Sequence, residues 1–287
     1  MTLVLIGPVC EDLIIIGDEK SSKVGGANFF QSFVYEEFYQ DYLVIANTSK
    51  TDLINDFPDK SKVKVILKED THYFINEYPN KDDLDIRNQT TNFADIPILK
   101  EELKNIFDEL DLDSDSIDAF VLNPLNKNDF SVETLDYLCS FNVPIYISLQ
   151  GFLRFKGDDD SMILKSSNDL DFIIDLSEAI FLDEKEARII EDNSSSDSGQ
   201  KCRENSDLKF IITNGSKGSR ITNFDDIDIK INAVKCENIK DATGCGDTYM
   251  AAYISSLLNG KSLKESGDFA SLIASKKLEI FGPYKKQ

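Results

Sequence analysis

Asp241-Ala242-Thr243-Gly244-Cys245-Gly246-Asp247-Thr248, close to the end of a 287-residue chain, is the stretch on which the fold and the chemistry turn. Met250, Ala251, Ile254, Leu257 and Leu258 follow it at helical spacing, and Asn259-Gly260 supplies a C-cap. A strand is expected before it. Gly244-Cys245-Gly246 therefore falls where a loop becomes a helix N-terminus. Two glycines let the backbone come close to a ligand. The unpaired N–H groups and the helix dipole there suit an anion such as a transferring phosphoryl group. Asp247 lies in the first turn, aimed at the same place, where a carboxylate is poorly suited to bind phosphate but well suited to take a proton from an attacking hydroxyl. Without further context the same residues also read as a tight turn with an acidic first-turn residue.

Working outward, short apolar runs at 3–6, 43–45, 63–67, 120–122, 145–147 and 210–212 read as buried strands. Helical patterns separate several of them, among them Phe29, Phe30, Phe33, Val34 and Phe38, and ILKEELKNIFDEL at 98–110. Such alternation implies a mainly parallel sheet covered by helices. Two stretches depart from it. THYFINEY at 71–78 is β-prone, and 13–16 is a second apolar run straight after the first strand. Together they form a small projecting sheet or, on pattern alone, an edge hairpin. Ile227, Ile229 and Ile231 alternate as in a half-exposed strand. Ser262 with Glu265 predicts a capping box opening the last helix. The polar run at 191–199 predicts a mobile loop.

The composition bounds the function. Lys and Arg number 31 against 52 Asp and Glu, a net charge of -21. Such a surface repels nucleic acid and anionic lipid, although an anion met locally by backbone N–H groups or a metal still binds. Five scattered cysteines without a CxxC pair indicate neither a disulfide framework nor a zinc site. His72 is the one histidine, which disfavours His-dependent triads and multi-His metal sites. No run reaches the roughly 20 apolar residues of a membrane span, and the N-terminus has no basic segment ahead of its short apolar run. A cytoplasmic protein is expected.

DATGCGDTYMAAY at 241–253 resembles the D-[TA]-x-G-[AC]-G-D signature of the ribokinase-like (PfkB) carbohydrate kinases. The resemblance extends over nearly the whole chain. It implies one α/β kinase domain over 1–287: a three-layer sandwich with a mainly parallel central sheet and a small β-lid, the lid strands from about 12–24 and 68–92. It also implies an ATP-dependent kinase that transfers the γ-phosphoryl group to a hydroxyl of a small sugar, polyol or nucleoside. Mg2+ is the implied cofactor, and K+ a further one. The implied protein is a monomer or homodimer without nucleic-acid or membrane partners.

By the same resemblance Asp247 is the catalytic base, and the N–H groups of Gly244, Cys245 and Gly246 form the anion hole. Asp12, in GPVCED at 7–12, corresponds to a substrate-binding Asp whose carboxylate takes two vicinal hydroxyls. Gly25, Gly26 and Asn28 resemble the N-terminal Gly-Gly signature at the substrate, with Asn28 nearer the glycines than is usual. Asp183 and Glu186, in FLDEKEA at 181–187, resemble the N-x-x-E segment that organises magnesium and its waters, Asp183 standing for the Asn. The same two residues also fit a charged helix start. Thr213, Gly215 and Gly218, in ITNGSKGS at 212–219, resemble the segment bordering the nucleotide, while Asn214-Gly215 is equally a hairpin signal. Asp241 is the counterpart of a ligand to a monovalent cation. LNPL at 122–125, LQGFLR at 149–154, and Thr71, Phe74, Tyr78 and Arg87-Asn88-Gln89 are similar to the inositol kinase-like and nucleoside kinase-like branches. Arg87 and Arg154 are candidates to reach substrate or phosphate, though each also reads as structural.

A non-catalytic nucleotide- or sugar-binding protein on the same fold is the alternative. A dinucleotide-dependent dehydrogenase is disfavoured, because Gly7-Pro8-Val9-Cys10 lacks G-x-G-x-x-G after the first strand. No G-x-x-x-x-G-K-[ST] is present for a P-loop kinase.

Overall fold

A computed structural model of the chain describes residues 1–78, 88–158, 160–193 and 208–286. In chain order the elements are β1 (Thr2–Ile6), β2 (Cys10–Ile16), β3 (Glu19–Gly25), α1 (Ala27–Phe38), β4 (Tyr42–Thr48), β5 (Val63–Leu67), β6 (His72–Tyr78), β7 (Asn88–Thr91), α2 (Lys100–Glu109), β8 (Ile117–Leu122) and α3 (Val132–Cys139). They continue with β9 (Ile145–Ser148), β10 (Arg154–Lys156), β11 (Met162–Leu164), α4 (Leu170–Asp175), β12 (Ala179–Asp183), α5 (Glu184–Asn193), β13 (Lys209–Thr213), β14 (Ser219–Thr222), β15 (Asp228–Ile231), α6 (Cys245–Leu258) and α7 (Leu263–Leu278).

Nine strands form the main sheet in the order β15-β14-β13-β12-β9-β8-β1-β4-β5. β5 through β13 run parallel, and β14 and β15 close one edge antiparallel. Alternation along each strand divides the apolar residues between the two faces. Leu3 and Leu5 join α1, α6 and α7 in one core, whereas Val4 and Ile6 join α2, α3, α4 and α5 in the other. The result is a three-layer α/β sandwich.

β1 lies between β4 and β8, where the chain's winding reverses, and in such sheets ligands gather beyond the carboxyl ends of the strands at that point. Four further strands, ordered β3-β2-β6-β7, form a second sheet. β2 pairs parallel with β6 and antiparallel with β3, so the projecting sheet expected from 13–16 and 71–78 is present. Arg87 lies outside the described residues.

Two expectations need correction. The strand before the 241–248 stretch, β15, ends at Ile231 and does not run into it; residues 232–242 are irregular, because this segment crosses from the sheet edge to pack on α7. In the polar 191–199 run, residues 191–193 finish α5, and the rest lies outside the described residues. The Ser262–Glu265 capping box is formed, Ser262 Oγ accepting from Glu265 N and Glu265 taking Ser262 N at 2.9 Å. No helix among the described residues is long and apolar enough to cross a membrane.

Candidate active site

β1 ends at Ile6, and the chain turns through Gly7-Pro8-Val9 into β2, which carries Asp12 at half-burial. Gly25 pairs with Cys10 across the β2–β3 ladder and lies against the Asp12 side chain. A methyl group on Gly25 would lie 2.5 Å from Asp12 Oδ2 and 2.8 Å from Cys10 Sγ, so only glycine leaves room for that carboxylate. Gly26 caps α1 at φ +97, and a side chain there would crowd the Pro8 carbonyl.

Asn28 is turned inward. It is fully buried, its Nδ2 donates to Gly7 O at 2.8 Å, and its Oδ1 accepts from Asn123 Nδ2 at 2.7 Å. Asn123 also exchanges hydrogen bonds with Gln31, which reaches Met250 Sδ at 3.4 Å. Asn28 is thus one member of a polar floor that ties the ends of β1 and β8 to α1 and α6. Its departure from the usual spacing has this geometry as its counterpart.

The α6 N-terminus lies over that floor. Gly244 is the N-cap at φ +73, and any side chain there would overlap the Phe30 ring. Gly246 is different: its backbone is ordinary, and a methyl group on it would meet nothing within 4 Å. The Cys245 N–H donates to the Ala242 carbonyl at 3.1 Å, closing the turn, so the donors left without an intrahelical acceptor are the first-turn N–H groups of Gly246 and Asp247.

Asp247 is half-buried, and its pKa is pushed up to about 6. Loss of water is the main cause; the Arg154 guanidinium pulls it down, while Glu186 and Asp12 push it up. Carboxylates on β2 and α5 therefore act on the one on α6, and a guanidinium opposes them.

Glu186 is buried at 2% exposure. Its Oε1 accepts from Gln150 Nε2 at 2.8 Å and its Oε2 from Asp183 N at 2.8 Å, while Asp183 Oδ1 accepts from Glu186 N at 2.9 Å. Asp183 and Glu186 thus make the reciprocal bonds of a capping box at the start of α5. The charged helix start is present, and it is the device that aims Glu186 inward. Burial raises the Glu186 pKa, against the Asp183 N–H and Gln150 bonds. Gln150 Oε1 in turn accepts from Arg154, whose guanidinium lies over the Phe74 ring at 5.7 Å. The 149–154 segment thereby joins Glu186 to the small sheet.

At the neighbouring strand end, Thr213 Oγ1 donates to Leu182 O at 3.3 Å, and Asn214 Nδ2 to Glu184 Oε1 at 2.7 Å. Residues 214–218 form the expected hairpin between β13 and β14. Gly218, at φ +92, is needed for packing, since a side chain would strike the Ile231 carbonyl; Gly215 faces open space. Asp241 is engaged from several sides. Its carboxylate accepts from Thr243 N at 2.9 Å and Gly282 N at 3.0 Å, and Lys277 Nζ donates to its carbonyl at 2.7 Å. Burial alone would raise its pKa, but these N–H groups and Lys277 together hold it below the usual carboxylate value. Lys277 Nζ also lies 3.4 Å from Asp241 Oδ2, so a monovalent cation does not fit against the carbonyl oxygen and Oδ2 that the ammonium already meets.

Asp12 and Glu186, from β2 and α5, lie near enough to Asp247 on α6 to act on its carboxyl group. Asn123 and Gln150 lie in stretches noted only for their likeness to a branch of the family, and Gln31 and Lys277 carry no motif. Gln150 is two residues from Ser148, at the end of β9, and its place between Arg154 and Glu186 is a tertiary fact. Lys277 did leave a signal, since Ala270, Ile273, Ala274 and Lys277 fall on one helical face.

Residues 137–286 match the model of the pfkB family carbohydrate kinases, and the chain belongs to that family. A nucleoside kinase of Methanothermobacter thermautotrophicus is 43% identical over 65 residues, covering 23% of this chain and 20% of that protein. A nucleoside kinase of Methanocaldococcus jannaschii is 38% identical over 73 residues, covering 25% and 24%. The matched stretch thus spans less than a quarter of the length of either relative.

Among solved structures, a pyrophosphate-dependent kinase in the ribokinase family, complexed with a pyrophosphate analog and myo-inositol, superposes with a TM-score of 0.75 at 18% identity over 99% of this chain and 97% of that one. Arabidopsis thaliana ribokinase, complexed with ribose and ATP, gives 0.71 at 15% identity over 98% and 93%. At these identities the likeness is one of fold.

Proposed function

We propose that the chain is a kinase that transfers the γ-phosphoryl group of ATP to a hydroxyl of a small sugar, polyol or nucleoside. The observation that carries this reading is Asp247: a carboxyl group with its pKa raised to about 6, in the first turn of a helix whose N–H groups face the same space. A base tuned near the working pH is what abstraction of a hydroxyl proton needs. Asp247 takes that proton as the oxygen attacks. The first-turn N–H groups of α6 and its dipole receive the transferring group, and the charge on its oxygens is stabilised without any rearrangement of the protein. Asp12 holds neighbouring hydroxyls of the acceptor beneath the small sheet, with Gly25 and Gly26 giving close backbone approach. Thr213, Gly215 and Gly218 border the donor.

Glu186 and Asp183 fit a magnesium ion held largely through water and donor oxygens. Glu186 is a buried carboxylate whose pKa is raised by burial, and a cation offsets that penalty. Among the described residues no three His, Cys, Asp or Glu side chains gather to hold a metal ion, so those residues alone offer no such cage. When bound, the ion neutralises charge between the donor phosphates. Gln150 and the Asp183 N–H orient Glu186, and Arg154 keeps the local charge in balance.

The test is transfer measured by phosphorus NMR, with ATP and pyrophosphate as donors and ribose, myo-inositol and nucleosides as acceptors. A phosphorylated product that requires ATP supports the proposal. Product from pyrophosphate alone corrects the donor. Binding of ATP without product in any pairing leaves the non-catalytic binder.

A further inference from the structure

Lys277 is a buried charged residue that the reaction scheme leaves unused. It is completely shielded from solvent on the face of α7 that packs against α6. Burial pulls its pKa down, and Asp241 pushes it back up. Its Nζ donates to the Asp241 carbonyl at 2.7 Å and lies 3.4 Å from Asp241 Oδ2. The surrounding contacts converge on one loop. Lys240 N and Asp241 N donate to Leu278 O at 2.8 and 3.3 Å, Gly282 N and Thr243 N donate to the Asp241 carboxylate, and Cys245 Sγ lies 3.7 Å from Ala274 O. The last turns of α7 thus grip residues 240–245, the segment that leads into the N-terminus of α6. A helix C-terminus presents carbonyl oxygens and partial negative charge, and so does the Asp241 side chain, so a cation is required among them. The charge is felt locally. Burial pushes the Cys245 thiol up to about 11, and Lys277 is the largest charge opposing it, whereas the charges acting on Asp247 are Arg154, Glu186 and Asp12.

We propose that Lys277 is a positioning residue whose ε-ammonium is a built-in monovalent cation: it holds the 241–244 loop in the shape that presents the first-turn N–H groups of α6, and the protein therefore needs no added K+. This rests on the reading of that helix terminus as the phosphoryl site. Lys277 touches no reacting atom.

The experiment compares wild type, Lys277→Ala and Lys277→Met in choline, sodium, potassium and ammonium chloride at constant ionic strength, reading melting temperature and turnover. Wild type is expected to melt and turn over alike in every salt. Lys277→Ala opens a space beside the Asp241 oxygens. Its kcat in choline is expected to fall by about tenfold or more through misplacement of the loop, and ammonium or potassium, but not choline, is expected to restore both kcat and melting temperature. Lys277→Met fills the space without charge and is expected to show the loss without the rescue. The acid limb of the pH profile, set by Asp247, stays in place in each variant, which separates loop positioning from damage to the base. A wild type activated or stabilised by potassium over choline overturns the proposal, and so does a Lys277→Ala protein with full turnover in choline or with a loss that no small cation repairs. Should Lys277→Ala fail to fold, Lys277→Met and the wild-type series decide. The melting series reads out without turnover, so failure of the kinase reading is distinguishable from failure of this one.

Discussion

The side-chain amide of Gln150 donates to Glu186 Oε1 at 2.8 Å while its carbonyl end accepts from Arg154, so one neutral residue holds a buried acid and a guanidinium in register. Truncation of Gln150 leaves a buried carboxylate oxygen without that donor, at a penalty of about 1–3 kcal/mol. Gln150→Ala is expected to lower stability by that order and to raise the magnesium concentration needed for half-maximal turnover, as Glu186→Gln does. Titration of magnesium against turnover in both variants checks this. A magnesium dependence identical to wild type in Glu186→Gln makes Glu186 a helix-capping residue only.

The raised pKa of Asp247 carries a stability signature. Its folded-state value, about 6, lies above the ordinary 3.8, so the folded protein binds the extra proton more tightly and loses stability as pH rises from about 4 to about 6. Asp247→Asn removes that penalty. The variant is expected to be more stable than wild type above pH 6, by at most about 3 kcal/mol, with the difference gone by about pH 4. Turnover is expected to fall by about 10²–10⁴. Denaturant melts at the two pH extremes, together with an activity assay, test both halves.

Gly244 and Gly246 separate packing from binding. Gly244→Ala is expected to destabilise, because its backbone is left-handed and Phe30 fills the space a side chain would take. Gly246→Ala meets no neighbour and gains helix propensity of up to about 1 kcal/mol. It is expected to keep or raise the melting temperature while weakening the phosphoryl donor. If Gly246→Ala binds ATP and turns over as wild type does, the helix terminus is not where the phosphate sits.

Asp12 acts in two ways that one variant reads out. Asp12→Ala is expected to weaken the acceptor by about 1.5–3 kcal/mol, the worth of hydrogen bonds to a charged group, with ATP affinity nearly unchanged. Because Asp12 pushes the Asp247 pKa up, its removal is also expected to move the acid limb of kcat/KM to lower pH. Paired titrations with acceptor and ATP analogue, and a pH profile, decide this. Equal loss of both affinities means a damaged fold.

Much of this was legible in the chain. The apolar strands, the aromatic face of α1 and the β-prone runs at 13–16 and 71–78 announce themselves by period, because burial on one or two faces dictates it. The glycines and Asp247 are legible because a loop entering a helix has few uses for that pattern. The strand expected before residue 241 is β15, but it stops at Ile231 because it is the sheet edge and the chain leaves it to dock on α7. Asn28 reads as a ligand from its neighbours in sequence, yet Asn123, 95 residues away, takes its amide oxygen. Lys277 looks like its exposed neighbour Lys276 unless the helical face is followed turn by turn.

The small sheet is built from segments at 10–25 and 72–91, whereas Glu186, the 214–218 hairpin and the α6 terminus all follow residue 180. The family match begins at residue 137, after the small sheet and ahead of that second group. Selection for a different acceptor, on the proposed reading, acts on a stretch of gene that barely overlaps the one encoding phosphoryl transfer. On the proposed reading, exchanging the first 92 residues with those of a relative redirects the enzyme to that relative's alcohol without rewriting its chemistry, so long as Asn28, Gln31 and their partners Asn123 and Met250 travel as a set.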